Sequence, residues 1–150
     1  MPAALPPLYA PWVHEVLGGA IPKEAAAACR RCVMLAPGRS GEGKRRIFFD
    51  AKTLCCTYLP DLPNFLVGRI LSDRSPAMAY GRRTVRDRLR RQAGVTPFGL
   101  ARPALYSLLY DSGAADGFGR SRSLHCPHHV DGGPCGIWAH RCAVCATWFC

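Results

Sequence analysis

A chain of 150 residues is long enough to bury a sizeable core unaided, and its 49% apolar content argues against wholesale disorder. The formal charge of +10 suits a polyanion or an acidic partner, but many bacterial-type proteins rich in Arg, Ala and Gly are basic for compositional reasons. The first residues lack the basic and apolar regions of a secretory signal, and no segment approaches the roughly 18–20 apolar residues of a membrane span. We therefore expect a single cytoplasmic domain over residues 1–150, with no membrane partner.

The first 75 residues predict short elements separated by turns. Gly18–Gly19 ends a first helix, and Pro22 stands at the first position of a second helix, which an alanine run continues. Pro60 and Pro63 lead into a third helix. In chain order, the predicted elements are a helix over 11–19, a helix over 21–32, a loop over 36–46, a strand over 46–51 and a helix from Asn64.

Residues 76–93 (PAMAYGRRTVRDRLRRQA) carry the strongest helical pattern in the chain. Met78, Val85 and Leu89 share one face, and Gly94 follows as a cap. The next segment predicts another helix, in which Thr96–Pro97 supplies the start, Pro103 a kink or restart, and Gly113 the end. From Gly113 onward no long periodic segment occurs. The fold class predicted is α+β, mainly α-helical, with short strands and irregular cysteine-rich loops brought together as a metal site.

Nine cysteines fall into two groups, one before residue 57 and one after residue 125. In an unexported chain thiols stay reduced, so clustered cysteines more often bind metal or perform redox chemistry than form disulfides. The odd number would also leave one thiol over in any disulfide scheme. Packing alone remains the other alternative. Two C-x-x-C pairs, 29/32 and 142/145, are natural half-sites, but their separation is far from the usual zinc-ribbon gap.

The C-terminal stretch HCPHHVDGGPCGIWAHRCAVCATWF resembles the second half of the YkgJ-type, or CxxCxxCC, cysteine-cluster family, a zinc- or iron-chelating domain. That family has a cysteine, a Gly-containing turn and then C-x-I-Y-x-x-R-P-x-x-C. Cys126, Cys135 and Cys145 match its three cysteines, and Arg141 matches its arginine. Cys142 stands at the family's proline position. The family's first half, C-x-x-C-x-x-C-C, is interrupted here by 22 residues between Cys32 and Cys55.

The resemblance implies metal chelation by thiolates, with an iron–sulfur cluster favoured over zinc. Seven or eight thiolates are too many for one mononuclear site, so either two metals are bound or one cluster takes four and the rest surround it. An iron–sulfur cluster would suit electron transfer or redox sensing, whereas zinc would be structural. The predicted ligands, the last of them by proximity only, are Cys29, Cys32, Cys55, Cys56, Cys126, Cys135, Cys145 and Cys150.

Two further motifs are weaker indicators of function. His125, His128 and His129 could complete a mixed Cys/His zinc site, but histidines grouped around a proline are more often exposed loop residues. GRSGEGKR over 38–45 satisfies G-x-x-x-x-G-K, yet it lacks the preceding strand and the following Ser or Thr of a P-loop. We therefore reject nucleotide binding.

The arginine-rich segment over 82–91 offers an alternative function. A nucleic-acid-binding module would contact phosphates through one helix face and use its metal only for structure. The simpler interpretation is a solvated helix face. The arginines proposed for phosphate contact are Arg82, Arg83, Arg86 and Arg90. The sequence offers no catalytic triad or carboxylate pair from which a reaction could be predicted. A third hypothesis is a metalloenzyme whose remaining residues lie beyond Cys150.

Overall fold

A computed structural model describes residues 7–18, 29, 32, 34–35, 49–131 and 133–147. The helices are α1 (Ala10–Leu17), α2 (Asn64–Ser72), α3 (Ala79–Arg90), α4 (Ala104–Gly117) and α5 (Ala143–Thr147). Short 3₁₀ helices occupy Pro7–Tyr9, Pro76–Met78, Arg122–Leu124 and Trp138–His140. The strands are β1 (Leu62–Pro63), β2 (Val95–Thr96) and β3 (Gly99–Leu100). The mainly helical α+β class predicted from the sequence is confirmed.

Helices α2 and α3 pack together and contribute Leu66, Ile70 and Val85 to the main core. The predicted apolar face of α3 is confirmed, because Met78 and Val85 are buried and Leu89 packs against them. Full burial of Met78 and of Val85 contributes about 1.5–3 kcal/mol each relative to leaving the side chain exposed. The buried residues of this core are Leu62, Leu66, Ile70, Met78, Val85, Leu100, Ile137 and Cys142. Two of them follow Cys135 along the chain, so the core also anchors the C-terminal cysteine segment.

The small antiparallel sheet has the order β1-β3-β2, with Leu100 opposite both Leu62 and Val95. The predicted helix start at Thr96–Pro97 is wrong, because these residues form a hairpin. The Thr96 hydroxyl accepts the Phe98 N–H at 3.2 Å and donates to the Gly99 carbonyl at 3.1 Å. A Thr–Pro pair initiates turns as readily as helices, and here the side chain satisfies the turn.

Helix α4 begins directly after Pro103, so the predicted restart there is confirmed. Its predicted end at Gly113 is wrong, since the helix continues to Gly117. Among the described residues, no atom beyond its chain neighbours and its own helix backbone lies within 4 Å of the position that a Gly113 Cβ would occupy, so no close packing contact requires glycine there. A mid-helix glycine costs only about 1 kcal/mol relative to alanine, which does not terminate the helix.

The described residues include only part of the N-terminal segment for which elements were predicted. Helix α1 is confirmed, and Gly18 ends it in a left-handed conformation with φ of 65°. Of the helix predicted over 21–32 only Cys29 and Cys32 are described, and the loop predicted over 36–46 lies outside the described residues. The strand predicted over 46–51 is wrong for 49–51, which belong to no strand. The carbonyl of Asp50 instead accepts N–H groups from Thr53 and Leu54, so the chain turns at this point. Within the described residues, no helix has the length and apolarity needed to cross a bilayer.

Candidate metal centre

The Cys55–Cys56 pair lies in a turn that is attached to α4 and to the loop behind it. Tyr106 of α4 donates its hydroxyl to the Thr57 carbonyl at 2.6 Å and accepts the Leu59 N–H at 2.7 Å. Burial raises the pKa of Tyr106 to about 12, which keeps this hydroxyl a donor. The Cys126 N–H donates to the Cys56 carbonyl at 2.7 Å. This bond joins the first cysteine group to the second.

Cys126 opens a tight turn whose amides point at its own sulfur. The His129 N–H closes the turn on the Cys126 carbonyl at 3.0 Å, with Pro127 at the position that favours proline. Backbone N–H groups of His128 and His129 also donate to the sulfur and favour its thiolate. Burial opposes them and raises the pKa of Cys126 to about 12.

Cys135 is placed opposite this turn. It forms an isolated antiparallel bridge with His129, and the neighbouring Gly136 N–H donates to the His128 carbonyl at 2.7 Å. The Ile137 N–H donates to the Cys135 sulfur. Burial nevertheless raises the pKa of Cys135, against the lowering by that amide and by the positive charge of Arg141.

The structure brings the two cysteine groups together, with Cys135 as the common neighbour. The pKa of Cys135 is raised first by burial and then further by charge repulsion from Cys29 and Cys55. Cys135 in turn helps to raise the pKa values of three other cysteines, namely Cys56, Cys126 and Cys145. Cys29 interacts with both Cys32 and Cys55, which extends the cluster to the first C-x-x-C pair. Of the eight predicted ligands, Cys150 lies outside the described residues.

Cys142 and Cys145 differ in burial and in what they contact. Cys142 is buried within the main core, and Cys145 packs beside it at intermediate exposure. Burial and then the charge and hydrogen bond of Cys142 raise the pKa of Cys145. The 142/145 pair therefore bridges the apolar core and the thiol cluster.

The spacing of the thiols is wider than a single zinc ion requires. Tetrahedral zinc with four thiolates places neighbouring sulfurs about 3.8 Å apart, from a Zn–S length of about 2.3 Å. Among the described residues, the group of three or more possible ligands whose ligand atoms all lie within 4.8 Å of one another is His125, His129 and Asp131. No three of the described cysteines meet that separation.

Arg88 is the cation buried beside the thiols, and the sequence interpretation missed it. Only 5% of Arg88 is exposed, and its one hydrogen bond among the described residues is from Nη2 to the Ala101 carbonyl at 2.6 Å. Its Nε and Nη1 atoms have no hydrogen-bond partner there, and its charge interacts with Cys126 and Asp61. Burial lowers the pKa of Arg88. The sequence feature that could have predicted this burial is the position of Arg88 three residues after Val85, on the buried face of α3.

The expectation of exposed loop histidines is wrong for His128 and His129. His128 is 0% exposed and its Nδ1 lies 2.7 Å from the Thr84 hydroxyl, while His129 is 2% exposed. Burial lowers the pKa of His128 to about 3, so its ring is neutral at physiological pH. The turn at Cys126 and the bridge to Cys135 explain this burial, because they fold the loop onto α3.

On the arginine-rich face of α3, some of the arginines already make contacts within the protein. Arg82 donates to the carbonyls of Asp73 and Ser75, so it joins α3 to the end of α2. The guanidinium of Arg83 lies 4.9 Å from the centroid of the Tyr80 ring. Arg86 and Arg90 are exposed. Phosphate contact by this face stays a prediction, with Arg82 the least available of the four arginines proposed for it.

Comparison of the chain with protein-family models, curated proteins and solved structures found no match. The resemblance to the YkgJ-type family therefore stays a prediction that rests on the C-terminal motif.

Proposed function

We propose that this protein binds a metal centre through clustered cysteine thiolates, with an iron–sulfur cluster favoured and zinc the alternative. The observation that carries the proposal is the position of Cys135, which interacts with cysteines from both ends of the described chain, Cys29 and Cys145 among them. Buried thiols gathered in this way are unfavourable as anions unless a cation lies between them.

The protonation chemistry supports metal binding. The pKa values of Cys56, Cys126 and Cys135 are raised, so these residues are neutral thiols when no metal is present. Metal binding would replace those protons, and the amides that donate to Cys126 and Cys135 would then stabilise the thiolate form. Backbone N–H groups aimed at ligand sulfurs also tune iron–sulfur centres.

Two observations favour a polynuclear centre over one zinc ion. More thiols converge than one ion can bind, and the described sulfurs are spread wider than tetrahedral zinc requires. Arg88 adds a buried positive charge beside Cys126, which suits an anionic thiolate cluster. A bound iron–sulfur cluster would supply one-electron chemistry, consistent with electron transfer or redox sensing.

Purification without oxygen, followed by absorbance and by analysis for iron, zinc and acid-labile sulfide, tests the proposal. A brown protein that absorbs near about 400 nm and contains iron and sulfide would establish a cluster. A colourless protein with one or two zinc ions would make the site structural. If neither metal binds while all thiols stay free and the fold is intact, the proposal fails.

A pair of variants tests the ligand assignment. Cys135→Ser should remove most of the metal, because Cys135 is the common neighbour of the other thiols. Cys142→Ala is the matched control, since Cys142 is buried in the core and stands where the family has proline. It should retain the metal even if its stability falls. Equal metal loss in both variants would contradict the assignment of Cys135.

A further inference from the structure

A second group of metal-ligand side chains lies beside the thiol cluster and contains no sulfur. The ligand atoms of His125, His129 and Asp131 all lie within 4.8 Å of one another. His129 is buried, His125 is half-buried and Asp131 is exposed, so the group opens to solvent on the Asp131 side.

The backbone of the loop sets this geometry. His125 ends the short 3₁₀ helix Arg122–Leu124, and the turn at Cys126 brings His129 back beside it. Their rings lie edge to face, with centroids 5.0 Å apart and an interplanar angle of 82°. His129 is held by its bridge to Cys135, and Asp131 follows it two residues later along the chain.

The contact between the two imidazoles suits a metal. His125 Nε2 and His129 Nδ1 are 2.7 Å apart, so one proton lies between two nitrogens that can both bind an ion. Two nitrogens around tetrahedral zinc lie about 3.4 Å apart, from a Zn–N length of about 2.0–2.1 Å. Replacing the proton by an ion therefore requires the rings to separate by only about 0.7 Å.

We propose that His125, His129 and Asp131 form a mononuclear site for a divalent transition metal ion, with zinc the ion that the donors suit best. Two imidazoles and one carboxylate are a common three-ligand set for zinc, and the fourth position is then open to water. The Nδ1 of His129 faces His125 Nε2, so it is the nitrogen that would bind the ion. The site uses none of the thiols as ligands.

The test is a zinc titration of the full chain, reduced and stripped of metal, in competition with a chromophoric chelator. The double variant His125→Gln, Asp131→Asn changes only the half-buried and exposed members, so the fold is spared. Its matched control is His14→Gln, Asp111→Asn, which alters an exposed histidine on α1 and an exposed acid on α4. We expect the site variant to bind one zinc ion fewer than the control, or to bind that ion about a hundredfold more weakly.

Cobalt(II) separates this site from the thiolate centre, because thiolates add an intense sulfur-to-metal charge-transfer band that nitrogen and oxygen ligands lack. In Cys135→Ser, the site should still bind cobalt without that band. In the parent chain, cobalt bound here with no charge-transfer band from the thiols would count against the proposed function alone. Unchanged zinc number and affinity in the His125/Asp131 variant would overturn the inference, and the histidine pair would then be only a hydrogen bond.

Discussion

Asp73 connects three parts of the molecule through one residue. It caps the end of α2, its Oδ1 accepts the Ser75 N–H at 2.9 Å, and its Oδ2 lies 2.9 Å from His140 Nε2. The hydrogen bonds from the Ser75 side chain and backbone, followed by that from His140, lower the pKa of Asp73 to about 2 from the usual 3.8. His140 precedes Cys142 by two residues, so this contact also orients the approach to the C-terminal cysteines.

The pKa of Asp73 gives a pH-dependent prediction. Because its pKa is lower in the folded state, the ionised carboxylate stabilises the fold at pH values above 3.8, and this contribution is lost as the pH falls through about 2. Asp73→Asn should therefore be less stable than the parent near neutral pH, and the difference should shrink toward zero below about pH 2. Urea unfolding of both proteins over that range measures it.

The comparison needs an acid that lacks such partners. Asp111→Asn, on the exposed side of α4, should leave the pH profile of unfolding unchanged. A stability difference for Asp73→Asn that stays constant from neutral to acid pH would contradict the stabilisation by an ionised carboxylate.

At the scale of the elements, α3 lies very close to the C-terminal cysteine segment at Gly81. A Cβ at this position would lie within 3 Å of the Gly136 carbonyl oxygen and of the Ile137 Cγ2 atom. Because the Gly136 contact is with backbone, the clash could be relieved only if the whole C-terminal segment moved. Since Gly136 and Ile137 follow Cys135 directly, the close packing of α3 fixes where that cysteine lies.

Gly81→Ala should therefore destabilise the protein although alanine is the better helix former. We expect a loss of about 1–3 kcal/mol in the free energy of unfolding, together with weaker metal binding. Gly68→Ala in α2 is the matched control, because no atom lies within 4 Å of the added Cβ. It should stabilise by about 0.5–1 kcal/mol. Chemical denaturation of both variants checks the signs, and stabilisation by Gly81→Ala would contradict the close contact.

The elements differ in how well the sequence predicts them, for physical reasons. Helix α3 was predictable because Met78, Val85 and Leu89 repeat with the helical period over a long segment. The hairpin over 95–100 was not, because two-residue strands have no measurable alternation and Thr96–Pro97 fits a helix start equally well. Short elements depend on their neighbours more than on their own residues.

At the scale of the whole molecule, residue type predicted the thiol cluster but not its surroundings. Cysteine spacing and the C-terminal motif identified residues that the fold does bring together, including Cys29 and Cys135, which lie far apart in sequence. The burial of His128 and Arg88 could not be read from the sequence, because it depends on packing between the loop and α3. Arginine is mostly exposed in proteins and histidine is intermediate, so residue type alone gives no reason to expect the burial that tertiary contacts produce here.

Metal removal should affect the molecule unevenly. The core between α2 and α3 is apolar and has no thiol in its helices, whereas the turn at Cys126 joins loops around the proposed ligands. In hydrogen exchange, the amides of Cys126 and His129 should exchange at least about tenfold faster in reduced protein stripped of metal. The amide of Val85 should stay protected, because its burial does not depend on the metal.

Metal-free Cys135→Ser provides the comparison, since exchange of its Cys126 amide should already match that of the stripped parent and should not change when iron and sulfide are added. Faster exchange at Val85 as well would mean that the metal stabilises the entire fold, contrary to an independent apolar core. Equal exchange at Cys126 with and without metal would mean that the loops are held by the backbone bond to Cys56 and by Tyr106 alone. The uneven response is expected because metal binding stabilises only the segments that order around it.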